Sequence, residues 1–196
     1  LRLVGSEMCI RDRVAAQQFA ADLKERATPL GMKNLQVEIS IKPVQLSATG
    51  IDAIEFLFAF NKNQPLMPVG STASGGEISR LMLSIKSLVA HKMQLPSIVF
   101  DEVDTGVSGD VAHRMGALMK DISENIQVIA ITHLPQVAAK GNAHFRVFKT
   151  DTDSSTITRI ELLSPENRIA EIAQMLSGST IDQAALANAR ALIDNA

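Results

Sequence analysis

The sequence contains neither tryptophan nor tyrosine, and its seven phenylalanines lie mostly in apolar stretches. We therefore do not expect a platform of exposed rings on which nucleic-acid bases stack. An excess of one charge is also lacking, since 19 basic and 21 acidic residues leave a net charge of −2. The chain as a whole thus has no electrostatic attraction to nucleic acid or to an anionic membrane, although a local basic patch is compatible with this balance.

Cysteine is nearly absent, because Cys9 is the only one in 196 residues. A disulfide within the chain and a zinc site built on cysteines are therefore excluded, and the composition fits a reducing compartment. No apolar run is long enough to cross a bilayer, since Lys86, His91 and Asp101 interrupt the longest candidates. The first residues also lack the apolar core and the cleavage site of a secretion signal. We expect a cytoplasmic location and no contact with a membrane.

The first thirteen residues, LRLVGSEMCIRDR, resemble the translated adaptor read-through that sometimes begins reading frames from shotgun sequencing. We therefore interpret residues 1–13, which include Cys9, as sequence that is not native to the protein. They are left out of functional reasoning. Resequencing of the source locus tests this hypothesis, and a genuine in-frame coding run at that place would contradict it.

The remaining sequence predicts a folded α/β protein. Hydrophobic residues make up 46% of the chain, which is enough for a substantial core in one domain with an appendage. From Val14 to Ala27 the apolar residues recur at helical spacing on one face. Proline and glycine in the following TPLG segment end this helix. The helix is either a surface helix packed on the core or the end of a coiled coil, which needs more heptads than are present here.

The later segments change from alternating to fully apolar strands. Short apolar strands that lie between helices predict buried, parallel strands in an α/β layer. An antiparallel edge pair and two helices are predicted to follow. The predicted order is strands at 35–41 and 53–60, a loop at 61–76, a helix at 78–89, a strand at 97–100, a helix at 110–119, a strand at 127–132, edge strands at 144–149 and 155–162, and helices at 167–176 and 181–196.

Two carboxylates directly follow the first fully apolar strand, in the segment SIVFDEVDTG. Ligands of open α/β sheets bind beyond the carboxyl ends of the strands, where the short side chain of Asp101 suits a magnesium ion. The longer side chain of Glu102 suits a base that polarises a water for attack on a phosphoryl group. The alternative is a strand that simply ends in water, where acidic residues are common.

His133 follows the second fully apolar strand, in the segment VIAITHLPQ. Parallel strands would bring it to the same sheet edge as Asp101. Its imidazole can donate a hydrogen bond to a terminal phosphate; the alternative is a loop histidine that precedes the next helix. Between the two strands, Asp104 lies in the segment VDTGVSGD, which either forms an ordinary strand-to-helix turn or reaches across an interface.

The segment STASGGEISR places two glycines at the start of a helix. Ser74, Gly75 and Gly76 can offer a hydroxyl and backbone N–H groups to a phosphate oxygen. A glycine turn with serine as the helix cap explains the segment equally well. Gly70 and Gly75 have the spacing of a phosphate-binding P-loop, but Gly76 and Glu77 replace its lysine and hydroxyl residue, and no other segment supplies that motif. Any nucleotide site in this chain is therefore incomplete.

Taken in order, these segments resemble the ABC-type ATPase head. The segments ASGGEISRLMLSIKS, IVFDEVDTGVSG and ITHLPQVAAKGNAHFRV are most similar to the bacterial DNA-repair branch of that family, which is related to the structural-maintenance-of-chromosomes (SMC) proteins. The similarity runs from residue 14 to residue 196. Ala73 stands where many ABC proteins have leucine, so transporter ATPases fit less well.

The resemblance implies a head of two lobes that a long antiparallel coiled coil separates in sequence. Residues 29–196 would form the C-terminal lobe, an α/β layer of parallel strands with flanking helices and antiparallel edge strands. Residues 14–28 would be the end of the coiled-coil helix. The lobe that carries the phosphate-binding lysine would lie elsewhere in the protein, so this chain by itself should hydrolyse no measurable ATP.

The resemblance also implies a role for each candidate residue. Asp101 would assist Mg2+, Glu102 would be the hydrolytic base, and His133 would sense the γ-phosphate of ATP. The segment Ser74–Glu77 would contact ATP that the opposite subunit holds, and Asp104 would lie in the interface loop.

The implied partners are ATP, the N-terminal head lobe of the same protein, a second head in a homodimer, and DNA. ATP bound between two heads would hold them together, and hydrolysis would let them part, in double-strand break repair and recombination at the nucleoid. Three alternatives stay open: an architectural DNA-bridging protein that uses ATP only as a head clamp, another ABC-type ATPase, and an α/β binding domain without a nucleotide.

Overall fold

A computed structural model describes residues 2–47, 50–71, 73–93, 95–101, 103–107, 109–151, 155–178 and 180–195. The helices are α1 (Arg2–Ala27), α2 (Gly75–Met93), α3 (Gly109–Ser123), α4 (Pro135–Ala138), α5 (Pro165–Ser177) and α6 (Gln183–Asp194). The strands are β1 (Gln36–Ser47), β2 (Gly50–Ala59), β3 (Met67–Pro68), β4 (Ser97–Asp101), β5 (Gln127–Ile131), β6 (Phe145–Asp151) and β7 (Thr156–Leu162).

The chain divides into two compact units. The first comprises Leu1–Pro96 and Thr105–Val107, and the second comprises Ser97–Asp104 and Ser108–Ala196. The first unit holds α1, α2 and an antiparallel sheet in the order β1-β2-β3. The second unit holds the other helices, the parallel pair β4-β5 and the antiparallel pair β6-β7. The division falls inside residues 29–196, for which the resemblance implies a single lobe.

In the first unit, the apolar face predicted for α1 is confirmed. Leu23 and Ala27 are fully buried, and the Arg26 guanidinium donates a 2.7 Å hydrogen bond to the hydroxyl of Ser87 on α2. The helix ends at Ala27, before a turn in which Gly31 adopts a positive φ of 85°, a conformation that glycine adopts without steric cost. Helix α1 begins at Arg2, so the predicted boundary at residue 13 is not marked by a break in the helix.

The antiparallel strands β1 and β2 confirm the two predicted alternating strands, with Gln36 paired to Ala59. The long loop predicted at 61–76 is wrong in part, because it contains the two-residue strand β3, a 3-10 turn at Val69–Ser71 and the first two residues of α2. A two-residue strand has too few positions to show an alternating pattern, so β3 could not be predicted from the sequence.

In the second unit, β4 and β5 pair in parallel from Ser97 opposite Gln127 to Asp101 opposite Ile131, as the sequence predicts. The prediction that both strands are buried is wrong in part, because β4 buries Ile98 and Phe100 whereas in β5 only Val128 is partly buried. Val99, Ile129 and Ile131 each expose about half of their surface. Uninterrupted apolar strands are typical of sheets that are covered on both faces, and the described elements leave the face of Val99, Ile129 and Ile131 open.

The remaining predicted elements are present, but the pair predicted as edge strands is a separate two-stranded sheet in the described part of the chain. Strands β6 and β7 form an antiparallel pair with Phe145 opposite Leu162. Ser164 caps α5, since its hydroxyl accepts from the N–H of Asn167, and Asp182 caps α6. Helices α5 and α6 share a core of small and branched side chains, namely Ala139, Ile172, Ala173, Ala185 and Ala189.

Candidate functional site

Asp101 and His133 lie at the same edge of the parallel pair. Asp101 is the last residue of β4 and stands opposite Ile131, the last residue of β5, and His133 follows two residues later. Both side chains are exposed to solvent, with His133 at 66% of its side-chain surface. The structure thus brings together two of the predicted site residues. Glu102 lies outside the described residues, so its role as a base stays a prediction.

Asp104 is buried within the second unit, which the sequence did not predict. Its side chain is 2% exposed, and its Oδ2 accepts hydrogen bonds from the Thr132 hydroxyl and from the backbone N–H of His133, the latter at 3.2 Å. The Thr132 hydroxyl oxygen in turn accepts from the N–H of Leu134 at 3.0 Å. A carboxylate from the loop after β4 therefore holds the turn after β5 and the start of α4.

The second oxygen of the same carboxylate faces the His133 ring. Asp104 Oδ1 lies 3.4 Å from His133 Nδ1 and makes no hydrogen bond to any residue that the structure describes. The interface contact that the resemblance implies for Asp104 stays a prediction, but the partners of this carboxylate lie within its own chain. The sequence offers one signal for the contact between Asp104 and His133. An acidic segment follows β4, and a Thr-His segment follows β5, the strand that pairs with it.

The SGGE segment forms a capping box at the start of α2. The hydroxyl and the backbone N–H of Ser74 donate to Glu77 Oε2 at 2.8 and 2.9 Å, and the Ser74 oxygen lies 3.4 Å from the N–H of Glu77. This reciprocal pairing satisfies donors that a helix start leaves free. The serine cap, one of two explanations that the sequence left open, is therefore present, and it gives Glu77 a structural partner.

The two glycines of this segment differ in their surroundings. A Cβ at Gly75 would have no heavy atom within 4 Å, whereas a Cβ at Gly76 would lie 3.1 Å from the backbone oxygen of Thr105. Ser74 and Gly75 are exposed. The N–H groups of Gly75 and Gly76 find no acceptor among the residues that the structure describes. The start of α2 is thus open to an anionic group, as a phosphate contact requires.

A metal site is not prearranged in the described part of the chain. Across those residues, no three His, Cys, Asp or Glu side chains converge in a way that could hold a metal ion. Mg2+ is commonly bound by one or two protein carboxylates together with substrate phosphates and water, and the exposed Asp101 fits that type of ligand.

No described helix combines the length and the apolar character that a membrane span needs.

Comparison of the sequence with those of known proteins identifies relatives of this chain. No family model matches the chain. The chain is 42% identical over 166 residues to the DNA repair protein RecN of Vibrio cholerae, and the aligned region covers 84% of this chain and 30% of that protein. It is 43% identical over 155 residues to RecN of Bacillus subtilis, covering 79% of this chain and 27% of that protein.

The fold comparison agrees with the sequence comparison. A solved structure from work on ATP-driven dimerization and DNA-stimulated activation of SMC ATPases matches with a TM-score of 0.57 and 16% identity, over 86% of this chain and 99% of that one. The chain therefore has the mixed α/β fold of an SMC-type head. It is a homologue of the DNA repair protein RecN and spans about a third of the length of the curated relatives that it matches.

Proposed function

We propose that this chain is the C-terminal part of a RecN-like ATPase head that completes ATP sites between two associated heads during DNA double-strand break repair and recombination. The observation that supports this most strongly is the shared sheet edge of Asp101 and His133 in a chain homologous to RecN. ATP, a second head, DNA and a cytoplasmic location at the nucleoid are all part of the proposal.

The sheet edge would act on the phosphates of ATP that the same head holds. Asp101 would hold Mg2+, directly or through water, and the bound ion would neutralise charge on the phosphate oxygens. His133 would donate a hydrogen bond to the γ-phosphate from its exposed ring. Glu102 would accept a proton from the attacking water, because a base next to the metal ligand is placed for that transfer.

The start of α2 would meet ATP that the opposite head holds. The N–H groups of the exposed Gly75 and the half-buried Gly76, together with the positive end of a 19-residue helix, suit a phosphate oxygen. The Ser74 hydroxyl donates to Glu77 in this structure, so it must turn away from the capping box before it can donate to a phosphate. Glu77 would then retain the Ser74 backbone N–H and keep the helix start in place.

The lobe that this chain lacks would supply the phosphate-binding lysine. Two apolar surfaces of the second unit suit such an intramolecular partner. One is the open face of β4-β5 with Val99, Ile129 and Ile131. The other is a face of the β6-β7 pair with four apolar residues that are 57% to 70% exposed, namely Phe145, Val147, Ile160 and Leu162. Apolar patches of this kind mark surfaces that another part of a protein covers. We assign both to contacts within the full-length protein.

Replacement of Glu102 by glutamine in the full-length protein tests the catalytic part of the proposal. The change removes the base but keeps the shape of the side chain, so ATP should still bind while hydrolysis falls at least about a hundredfold. ATP-bound dimers should then persist longer than in the wild type. Steady-state phosphate release and size-exclusion chromatography with ATP measure the two effects.

The matched control is Glu124→Gln, which removes an exposed carboxylate just after α3. This variant should hydrolyse ATP at the wild-type rate. Normal turnover in Glu102→Gln would eliminate the assigned base. ATP-dependent dimers of a wild-type protein that hydrolyses no ATP would instead support the architectural clamp.

A further inference from the structure

We propose that Asp104 is a positioning residue for His133: it fixes the imidazole with the proton on Nδ1 and turns Nε2 toward the ligand. The orientation of the ring follows from contacts within one unit of this chain. Its use on a γ-phosphate rests on the proposed function above. The proposal gives Asp104 a role inside its own head, in addition to or instead of a contact across the head interface.

The burial of Asp104 supports this role. A carboxylate that is 98% removed from solvent is costly unless its oxygens accept hydrogen bonds. Oδ2 has two donors, the Thr132 hydroxyl and the His133 N–H, whereas Oδ1 has none among the described residues. The ring nitrogen Nδ1 of His133 lies 3.4 Å from Oδ1, so a small rotation of the exposed ring completes the second oxygen's hydrogen bond.

This arrangement selects one tautomer of the histidine. Only a protonated Nδ1 can donate to the Asp104 carboxylate, and in the neutral ring Nε2 then has no proton and can only accept. The donation to a γ-phosphate that is proposed above therefore needs the imidazolium ring, in which Nδ1 donates to Asp104 and Nε2 donates to the phosphate. The two ring nitrogens lie on different sides of the imidazole, so the contact with a buried partner turns Nε2 away from Asp104. A hydrogen bond at one ring nitrogen generally decides the role of the other.

The backbone contacts make the same carboxylate a clamp on the whole turn. Asp104 holds the N–H of His133, and through Thr132 it also holds the N–H of Leu134, the residue that precedes α4. Leu134 is the N-cap of α4 and has no capping side chain of its own. The turn from Thr132 to Leu134 therefore depends on a residue 28 positions earlier in the chain, and movement of the loop after β4 would move His133 with it.

Nuclear magnetic resonance of the full-length protein labelled with 15N-histidine tests the tautomer without any need for ATP hydrolysis. The His133 signals are assigned by their loss in His133→Gln, and the long-range proton–nitrogen correlations that distinguish the two neutral tautomers from the imidazolium ring are then recorded. We expect a protonated Nδ1 in the wild type and loss of that pattern in Asp104→Asn. A neutral ring with its proton on Nε2 in the wild type, or an unchanged pattern in Asp104→Asn, would overturn the proposal.

A double-mutant cycle on ATP hydrolysis tests the functional half. Asp104→Asn should lower kcat by the order of tenfold with little change in KM, and this loss should disappear in a His133→Ala background because both changes remove the same function. Thr132→Ser keeps the hydroxyl and should retain wild-type turnover, while Thr132→Val should lower it in the same direction as Asp104→Asn. If Asp104→Asn does not fold, the comparison of Thr132→Ser with Thr132→Val still tests whether the hydrogen bonds of Asp104 position His133.

Independent losses in the Asp104 and His133 variants would contradict a positioning role and favour a contact across the interface. If the wild-type protein hydrolyses no ATP, the proposed function fails, whereas the tautomer measurement still decides the geometry around His133.

Discussion

At the scale of single residues, His144 has an environment that should make stability depend on pH. The residue is partly buried, and its Nδ1 has no hydrogen bond to a described residue. Burial, followed by the nearby positive charge of Arg168, lowers the pKa of His144 below its ordinary value of 6.5, and Glu171 opposes the shift. The protonated form of His144 is therefore disfavoured in the folded chain.

The sign of the effect follows from proton linkage. A folded-state pKa below 6.5 means that the unfolded chain binds the proton first as the pH falls. The contribution of His144 is therefore fully present above pH 6.5 and is lost as the pH falls through and below that value. We expect the free energy of unfolding of the wild type to decline over this window, as measured by urea denaturation at several pH values.

Replacement of His144 by glutamine should remove this part of the decline. His113→Gln, which changes an exposed histidine on α3, should keep the wild-type dependence. If His144→Gln and the wild type lose stability in parallel between pH 7.5 and pH 5.5, burial of His144 is not the cause.

At the scale of elements, the start of α2 carries both a structural and a proposed ligand-binding role. The capping box between Ser74 and Glu77 begins the helix in the absence of any ligand. Gly75 is not needed for that geometry, because a Cβ there would meet no atom within 4 Å, but Gly76 is close to the Thr105 backbone oxygen. These two glycines therefore offer a matched pair of substitutions that separates stability from function.

Gly75→Ala should leave the stability of the chain unchanged or raise it by up to about 1 kcal/mol, because alanine restricts the unfolded chain more than glycine does. Gly76→Ala should lower stability by about 1 kcal/mol, since the added carbon crowds a backbone oxygen at 3.1 Å. In the full-length protein, Gly75→Ala should nevertheless weaken ATP-dependent head association. Denaturation and analytical ultracentrifugation with ATP measure the two quantities, and unweakened association would argue against close approach of a phosphate to this backbone.

The order of the elements was largely predictable, because helical and alternating spacings are local properties of the sequence. The parallel pairing of β4 and β5 followed from the alternation of helices with apolar strands. The open face of that pair was not predictable, since an apolar strand shows that a face is covered but not which part of the protein covers it. The contact between Asp104 and His133 was also missed, because residues 29 positions apart meet only after the strands have paired.

The candidate site was predictable to a similar degree. Parallel pairing places Asp101 and His133 at one edge, so their proximity follows from the sequence once the strands are assigned. The capping box also follows from the spacing of Ser74 and Glu77. The sequence could not decide whether those residues serve as a cap, as a phosphate contact, or as both, because the same donor groups suit each role.

At the scale of the whole molecule, the chain has the features of a part of a larger protein. Its RecN relatives are about three times as long, and its second unit exposes apolar strand faces. No segment supplies a phosphate-binding lysine motif. The proposed residues also divide into two groups: one would act on ATP in the same head, and the other on ATP in the opposite head.

Mixing of two inactive full-length variants tests this division most directly. Glu102→Gln removes the base that acts within its own head, and Ser74→Arg blocks the contact to the opposite head. Each homodimer should be inactive. A mixed dimer should contain one site in which both groups are intact, so an equal mixture should recover about a quarter of the wild-type ATP hydrolysis if the subunits exchange freely. A mixture that stays as inactive as its components would contradict a composite site between two heads.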